Sequence, residues 1–548
     1  MPLSRRSFLA RMAIGLTSPY WLPLAARASS INRTSFKPTW GSLQGYVAPP
    51  WFRDAKFGIW AHWSAQCVPE QGDWYARSMY MQGEPQYEYH CRTFGHPSRF
   101  GFMEIDNLWK AEQWDPNELM RLYKAAGAKY FVALANHHDN FDTYDSTHHA
   151  WNSLNVGPRK DIVGGWAKAA REHGLRFGVS NHSAHAWHWF QTAYGYDGEG
   201  PLEGVRYDAA RLAKADGIGT WWEGLDPQEL YTGPNMVLPE GIRGAAAVKQ
   251  WHEQHDGIWM ETPSQYNPQF ARQWFLRCKD LLDKYQPDLL YFDDSGLPLG
   301  QTGLDIAAYF YNANRQWNGG RLEGVLNAKK LMPEQRHALV EDIERGGSDA
   351  IRPLPWQTDT CIGDWHYSRA RFEAHSYKSA GTVITSLCDI VSKNGNLLLS
   401  IPLRGNGTID SDERHILEEL AAWMSVNGEA IFGTQPWRVF GEGPTKVASG
   451  MFGENNAQAF TAGDIRFTTK GDVLFAITLG RPTASHVTLK SLASNVAGTI
   501  DRVEMLGSPL PLRFKRDVLG LTLEFPQQIQ GKHAFVFKLM GHGLTSAT

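Results

Sequence analysis

Short apolar runs alternate with amphipathic helical stretches from about Ser35 to Gly433. The run "KFGIWAHW", Lys56 to Trp63, predicts a buried strand that ends in polar residues. "DPNELMRLYKAAGAKYFVALANHHD" predicts a helix followed by a strand. Asp115 caps that helix, Pro116 occupies its first turn, and Gly127 stops it. Leu119, Leu122, Tyr123 and Ala126 recur at the helical period and form the buried face. "KDIVGGWAKAAREHGLRFGVSNH" repeats the unit, with a helix from Ile162, a stop at Gly174 and a strand from Arg176 to Ser180. "NPQFARQWFLRCKDLLDKYQPDLLYFDD" repeats it again, placing Phe270, Trp274, Cys278, Leu281 and Tyr285 on one face and a strand at Leu289–Phe292. A strand ending at Lys329, the strand "NLLLSIP" and a helix over Ser411–Val426 complete the series. Strand–helix units in sequence imply a parallel sheet. Their number, with polar residues at each strand's carboxyl end, favours a (β/α) barrel catalytic domain over 35–433.

Two stretches break this rhythm. Residues 194–265 are rich in Gly, Asp, Glu and Trp and carry little helical signal. A connection this long inside a domain is usually functional, so a lid that forms part of the pocket is expected there. Beyond Gly433 the period changes to two: "DVLFAITL", "HVTLKSL", "TIDRVEML", "LGLTLEF" and "HAFVFKL" are short alternating runs between turn residues. They predict a C-terminal antiparallel β-sandwich over 434–548.

Composition narrows the function classes. The formal charge of −3 offers no basic field for nucleic acid. The chain carries 22 Trp, 20 Tyr and 26 Phe, which suit both a large core and flat apolar ligands such as sugar rings. "SRRSFLA", an apolar stretch and "ARA" ending at Ala28 read as a twin-arginine signal peptide over 1–28, and hence a periplasmic or secreted protein. No other segment approaches membrane-spanning length. Five widely spaced cysteines argue against a disulfide scaffold, although an oxidising compartment would allow a Cys67–Cys91 bridge. The dinucleotide fingerprint is absent after the first strand, and no cofactor is expected.

Candidate chemistry gathers at the predicted strand ends. "KYQPDLLYFDDSGLP" runs from a helix end through an apolar strand into Asp293 and Asp294, then turns at Gly296 and Pro298. Asp294 is expected to cap that turn and Asp293 to face the site. His62 ends the first strand, "GDWY" supplies Asp73 and Trp74, and "NHHD" supplies His137, His138 and Asp139. Imidazoles and carboxylates bind hydroxyl groups, aromatic rings cover a sugar's apolar face, and a carboxylate can attack an anomeric carbon.

These segments, together with "WMSVNGEAIFGTQPW", resemble the α-L-fucosidases of glycoside hydrolase family 29 from about Trp51 to Trp437. The resemblance implies a retaining exo-glycosidase that releases terminal α-L-fucose from fucosylated oligosaccharides or glycoconjugates. It implies Asp293 as nucleophile and His62, Asp73, Trp74, His137, His138, Tyr291 and Lys329 as sugar contacts. The family's acid/base has no fixed motif; in "VEDIERGG" Glu344 is the first candidate and Glu341 the second. The chain departs from the family in four places. Asn181, His182 and His185 stand where a Tyr often closes the third strand, and Tyr291 replaces a Trp. Lys329 replaces a sugar-binding Arg, whose bidentate contacts Lys cannot reproduce. "PWQTDTCIGDWHY" replaces the Pro-Trp-Glu motif.

An α-L-galactosidase on the same fold is one alternative, because L-galactose shares fucose's ring stereochemistry. A metal-dependent hydrolase using His137, His138, His182, His185 and His188 is another, although adjacent histidines on a strand point to opposite faces. A non-catalytic glycan-binding protein is the third; retention of Asp293 argues against it.

Overall fold

In the computed structural model, residues 35–258, 267–482, 484–496, 498–509, 512–525 and 531–545 are described. The segment expected to be a signal peptide, 1–28, and the end of the insertion, 259–266, lie outside them. Eight parallel strands close into a barrel in chain order: β1 (Phe57–Ala61), β2 (Tyr130–Asn136), β3 (Arg176–Asn181), β4 (Leu289–Ser295), β5 (Val325–Lys329), β6 (Val340–Asp342), β7 (Trp356–Cys361) and β8 (Gly395–Ser400). Helices form where the caps dictate. Asp115 accepts the amides of Asn117 and Glu118 at 3.0 and 3.1 Å, and Asp410 with Glu413 forms a capping box at Ser411.

The barrel interior is unusually polar. The Tyr130 hydroxyl donates to Gln357 at 2.9 Å, and the Gln357 amide donates to Asp342 at 2.8 Å. Gly58 makes room for this ladder, since a Cβ there would lie 2.4 Å from the Tyr130 ring. The Trp60 indole donates across the barrel to Ser180 at 3.2 Å.

The insertion after β3 differs from the expected lid. Among its described residues, 194–258, none lines the central cavity. Tyr194, Tyr207, Trp222 and Tyr231 are turned inward and buried. Tyr80 and Tyr231 both donate to the buried Asp208. The described part of the insertion is therefore a buttress for the loop that carries Trp74.

Beyond the barrel, two antiparallel sheets enclose a second core. One has the order β13-β16-β11-β10-β9 and the other β12-β15-β14. The strands are β9 (Gln435–Glu442), β10 (Ile465–Lys470), β11 (Val473–Thr478), β12 (His486–Leu489), β13 (Arg502–Met505), β14 (Phe514–Asp517), β15 (Gly520–Glu524) and β16 (Phe535–Met540). Phe467, Phe537, Leu521 and Leu523 meet between the sheets. A buried ion pair ties this domain to the barrel: Arg466 lies 2.6 Å from Asp389, which also holds Lys393 at 2.7 Å. All five cysteines, Cys67 and Cys91 included, are free thiols. Among the described residues no helix is long and apolar enough to cross a membrane.

Candidate active site

The strands' carboxyl ends open into a cavity of about 550 Å³. β4 is longer than its apolar run and continues through both aspartates to Ser295. Asp293 consequently faces the cavity. Asp294 is not a turn cap: its side chain is fully buried, 3.0 Å from His185. His185 also lies 3.1 Å from the carbonyl oxygen of Asp293, which fixes the end of the strand.

The Asp293 carboxylate is held on both oxygens. Oδ1 accepts from the Lys329 ammonium. Oδ2 lies 3.2 Å from His182 Nδ1 and 3.4 Å from His138 Nε2. Burial alone would raise this carboxyl, but Lys329 and the hydrogen bonds from His138 and His182 outweigh it, and its pKa falls well below the usual carboxylate range. Glu344 behaves oppositely. Its Oε2 accepts from the same ammonium at 2.6 Å. Burial raises it, Lys329 draws it back, and Asp359 and Asp293 raise it again, to about 7. One ammonium thus separates an ionised carboxylate from a carboxyl that titrates near neutrality.

Glu341, the second candidate acid, faces elsewhere. It pairs with Arg336 at 2.8 Å and with Arg352, at a neighbouring cavity. Within β6 Glu341 and Asp342 point to opposite faces, Asp342 into the barrel towards Gln357 and Tyr291, and Glu344 lies beyond the strand's end, where it lines the cavity.

His62, Asp73, Trp74, His137 and His138 all line the cavity with Asp293 and Lys329. The His62 ring is 3.0 Å from Ser400 at the end of β8. Gln66 donates to His137 at 3.1 Å. Asp73 accepts the amides of Trp365 and His366 at 3.2 and 2.7 Å, pinning the loop after β7. Adjacent His137 and His138 both reach the cavity, contrary to the alternation expected of a strand. β2 stops at Asn136, so the pair lies in the turn, ring centroids 4.3 Å apart. Burial pushes the pKa of His62 and His137 well below the ordinary imidazole value, and that of His182 to about 4. These rings are neutral at neutral pH and able to exchange hydrogen bonds with hydroxyl groups.

Tyr291 is the exception among the expected sugar contacts. It is fully buried beneath the floor, and its hydroxyl donates to Asp359 at 2.9 Å and Asp342 at 3.3 Å. Asp139 also turns away from the cavity, accepting the Phe141 amide at 3.1 Å. Asn181 points outward and accepts from the Trp274 indole at 3.0 Å.

Trp60, Trp365, Asp359, Arg345, Met451 and Phe452 line the cavity without having been foreseen. Trp60 follows the β1 pattern and was legible as an inward residue; Met451 and Phe452 come from the C-terminal domain and carry no local signal. Trp74, Lys330, Arg345 and Phe452 all hold left-handed φ values, 63°, 51°, 45° and 58°. Such backbone strain, costing about 1–3 kcal/mol at each position, gathers at functional sites. Nitrogens of His137, His138 and His182 lie within 4.8 Å of one another, close enough to share a cation. Four ring nitrogens of that set are engaged: His137 Nδ1 by Gln66, His138 Nδ1 by the His182 carbonyl at 2.8 Å, and His182 Nδ1 and His138 Nε2 by Asp293.

Comparison with known proteins agrees with this geometry. Human tissue alpha-L-fucosidase is 26% identical over 525 residues, covering 94% of each chain. The alpha-L-fucosidase of Branchiostoma floridae is 25% identical over 533 residues, covering 95% of this chain and 99% of its own. The Thermotoga maritima alpha-fucosidase in complex with fucose superimposes with a TM-score of 0.66 at 27% identity, covering 92% of this chain and 100% of that one. The same enzyme in complex with a mechanism-based inhibitor gives 0.67 at 28%. The model of the alpha-L-fucosidase C-terminal domain matches residues 458–540. With the alpha-L-fucosidase family model matching residues 24–429, which include every strand of the barrel, the chain belongs to the alpha-L-fucosidase family of glycoside hydrolases.

Proposed function

We propose that this protein is a retaining exo-α-L-fucosidase that acts on terminal α-L-fucose of oligosaccharides or glycoconjugates. The observation that carries the reading is the sharing of Lys329 by Asp293 and Glu344. Two oxygens hydrogen-bonded to one nitrogen lie well short of the ~6.5–9.5 Å that inversion requires and suit the ~5–5.5 Å of retention. Asp293 attacks the anomeric carbon as Glu344 gives its proton to the departing glycosidic oxygen. Glu344 then takes a proton from water, which attacks the same carbon and releases Asp293. The fit of a mechanism-based inhibitor to the T. maritima relative supports a covalent intermediate here too. The neutral histidines around Asp293 suit the hydroxyl groups of an uncharged sugar.

Proton NMR of the first-formed sugar from an aryl α-L-fucoside tests this. The α anomer is expected; an initial β anomer overturns the mechanism. A panel adding the L-galactoside, D-glucoside and D-galactoside should show the L-fucoside turned over fastest. A faster L-galactoside would reassign the substrate. Turnover should survive a chelator; its loss, restored by a divalent cation, would favour the three-histidine cluster as a metal centre.

A further inference from the structure

The acid's side of the cavity is closed by a stretch of the C-terminal domain that neither family model covers. The matches stop at residue 429 and resume at 458. Between them, the connection from β9 to β10 crosses onto the barrel mouth. Gly450 and Gly347 pair as an antiparallel bridge, and a Cβ at Gly346 would meet the Gly450 carbonyl oxygen at 1.9 Å. The Phe452 amide donates to the carbonyl of Glu344 itself at 2.9 Å, and the Glu454 amide donates to Arg345 at 3.0 Å. The Glu454 carboxylate then accepts from Thr360 at 2.8 Å and pairs with Lys378. This stretch is docked on the very residues that carry the acid.

Of its apolar side chains at the cavity, Met451 is half-buried against the core while Phe452 stays open. Phe452 is 51% exposed although it lines the cavity, with Met451 beside it. The Phe452 backbone is held at φ 58°, an unusual conformation for an aromatic residue. A Phe kept in solvent by a strained backbone, beside a proton donor, matches the needs of a leaving group. The group leaving Glu344 in a glycan is another pyranose, with one apolar C–H face that an aromatic ring can cover.

We propose that Phe452, flanked by Met451, is the platform for the leaving-group pyranose, so that the C-terminal domain sets preference for what fucose is attached to. This rests on Glu344 standing at the leaving-group side, as in the proposed function. The platform contacts only the departing sugar, and the fucose half keeps its own contacts to the histidines and Trp74.

The test compares a fucosyl disaccharide with methyl α-L-fucoside, whose leaving group also needs the Glu344 proton but has no ring. Phe452→Ala and Phe452→Asn both remove the ring, and Asn tolerates the left-handed backbone. Both variants should lose roughly tenfold or more in kcat/KM on the disaccharide and stay within about twofold on the methyl fucoside. Phe452→Trp should retain the disaccharide activity. Equal losses on both substrates would make Phe452 a support for Glu344 and overturn the platform; an unchanged disaccharide rate would overturn it as well. If the unaltered protein turns over neither fucoside, the fucosidase reading fails and this inference with it. If it turns over both and the variants behave alike, only the platform fails.

Discussion

Oε2 of Glu344 lies 2.6 Å from the ammonium nitrogen of Lys329, which also reaches Asp293. Removing that cation should raise the pKa of both carboxyls, because it lowers both. Lys329→Met should lose roughly 10²-fold or more in kcat/KM. Both limbs of its pH profile should move to higher pH. Unmoved limbs would mean that the pair is tuned by something else.

The unaltered protein should show an alkaline limb near pH 7. Glu344 must be protonated to act as acid, and its carboxyl is pushed up to about 7 by burial despite Lys329. Activity is therefore full below that value and lost as pH rises through it. Asp293 must be ionised, and its depressed pKa puts the acid limb below the ordinary carboxylate range. A profile of kcat/KM on an aryl fucoside reads both.

Asp293→Gly should lose about 10³-fold or more on any fucoside. Azide should restore part of the rate and yield the β-fucosyl azide, since it enters from the face the carboxylate vacated. A variant of Asp294 that abolishes turnover while Asp293→Gly stays active would place the nucleophile one residue further on.

Glu344→Ala should hurt a disaccharide far more than an activated aryl fucoside, because only the poorer leaving group needs the proton. Glu341→Ala should keep the leaving-group dependence of the unaltered protein. Its cost should appear as lowered stability, from uncompensated Arg336 and Arg352. Brønsted plots over a leaving-group series separate the two.

Arg277 carries the turn that presents His137 and His138. It donates to both Asp142 oxygens, at 3.0 and 2.6 Å, and to Asn140 at 2.5 Å. Arg277→Met leaves the buried Asp142 unpaired and should cost about 3–5 kcal/mol in denaturant unfolding.

The parts of this architecture written as long apolar runs were legible in the chain. "LLYF" before Asp293 and "YFVALAN" before His137 mark β4 and β2 without any structure. β7 was not, because its sequence, "WQTDTC", places Gln357 and Asp359 inside the barrel, where Tyr130 and Tyr291 satisfy them. β6 has only Val340–Asp342, too short to show a period, so Glu341 and Glu344 could not be told apart. Tyr291 was misread because it shares the inward face of β4 with Asp293, two positions on, and depth within the barrel leaves no local trace. Phe452 meets Glu344 across more than a hundred positions of chain, through a bridge between glycines that no short motif encodes.

The stretch that bears Phe452 hangs between β9 and β10, and that sheet is complete only when β16, Phe535–Met540, has paired with β11. A growing chain with its whole barrel synthesised already owns Asp293 and Glu344, yet the mouth of its cavity is unfinished. A chain clipped before β16 would keep both carboxyls and lose part of the sheet that holds Phe452 against Glu344, so clipping should fall harder on disaccharides than on ringless fucosides.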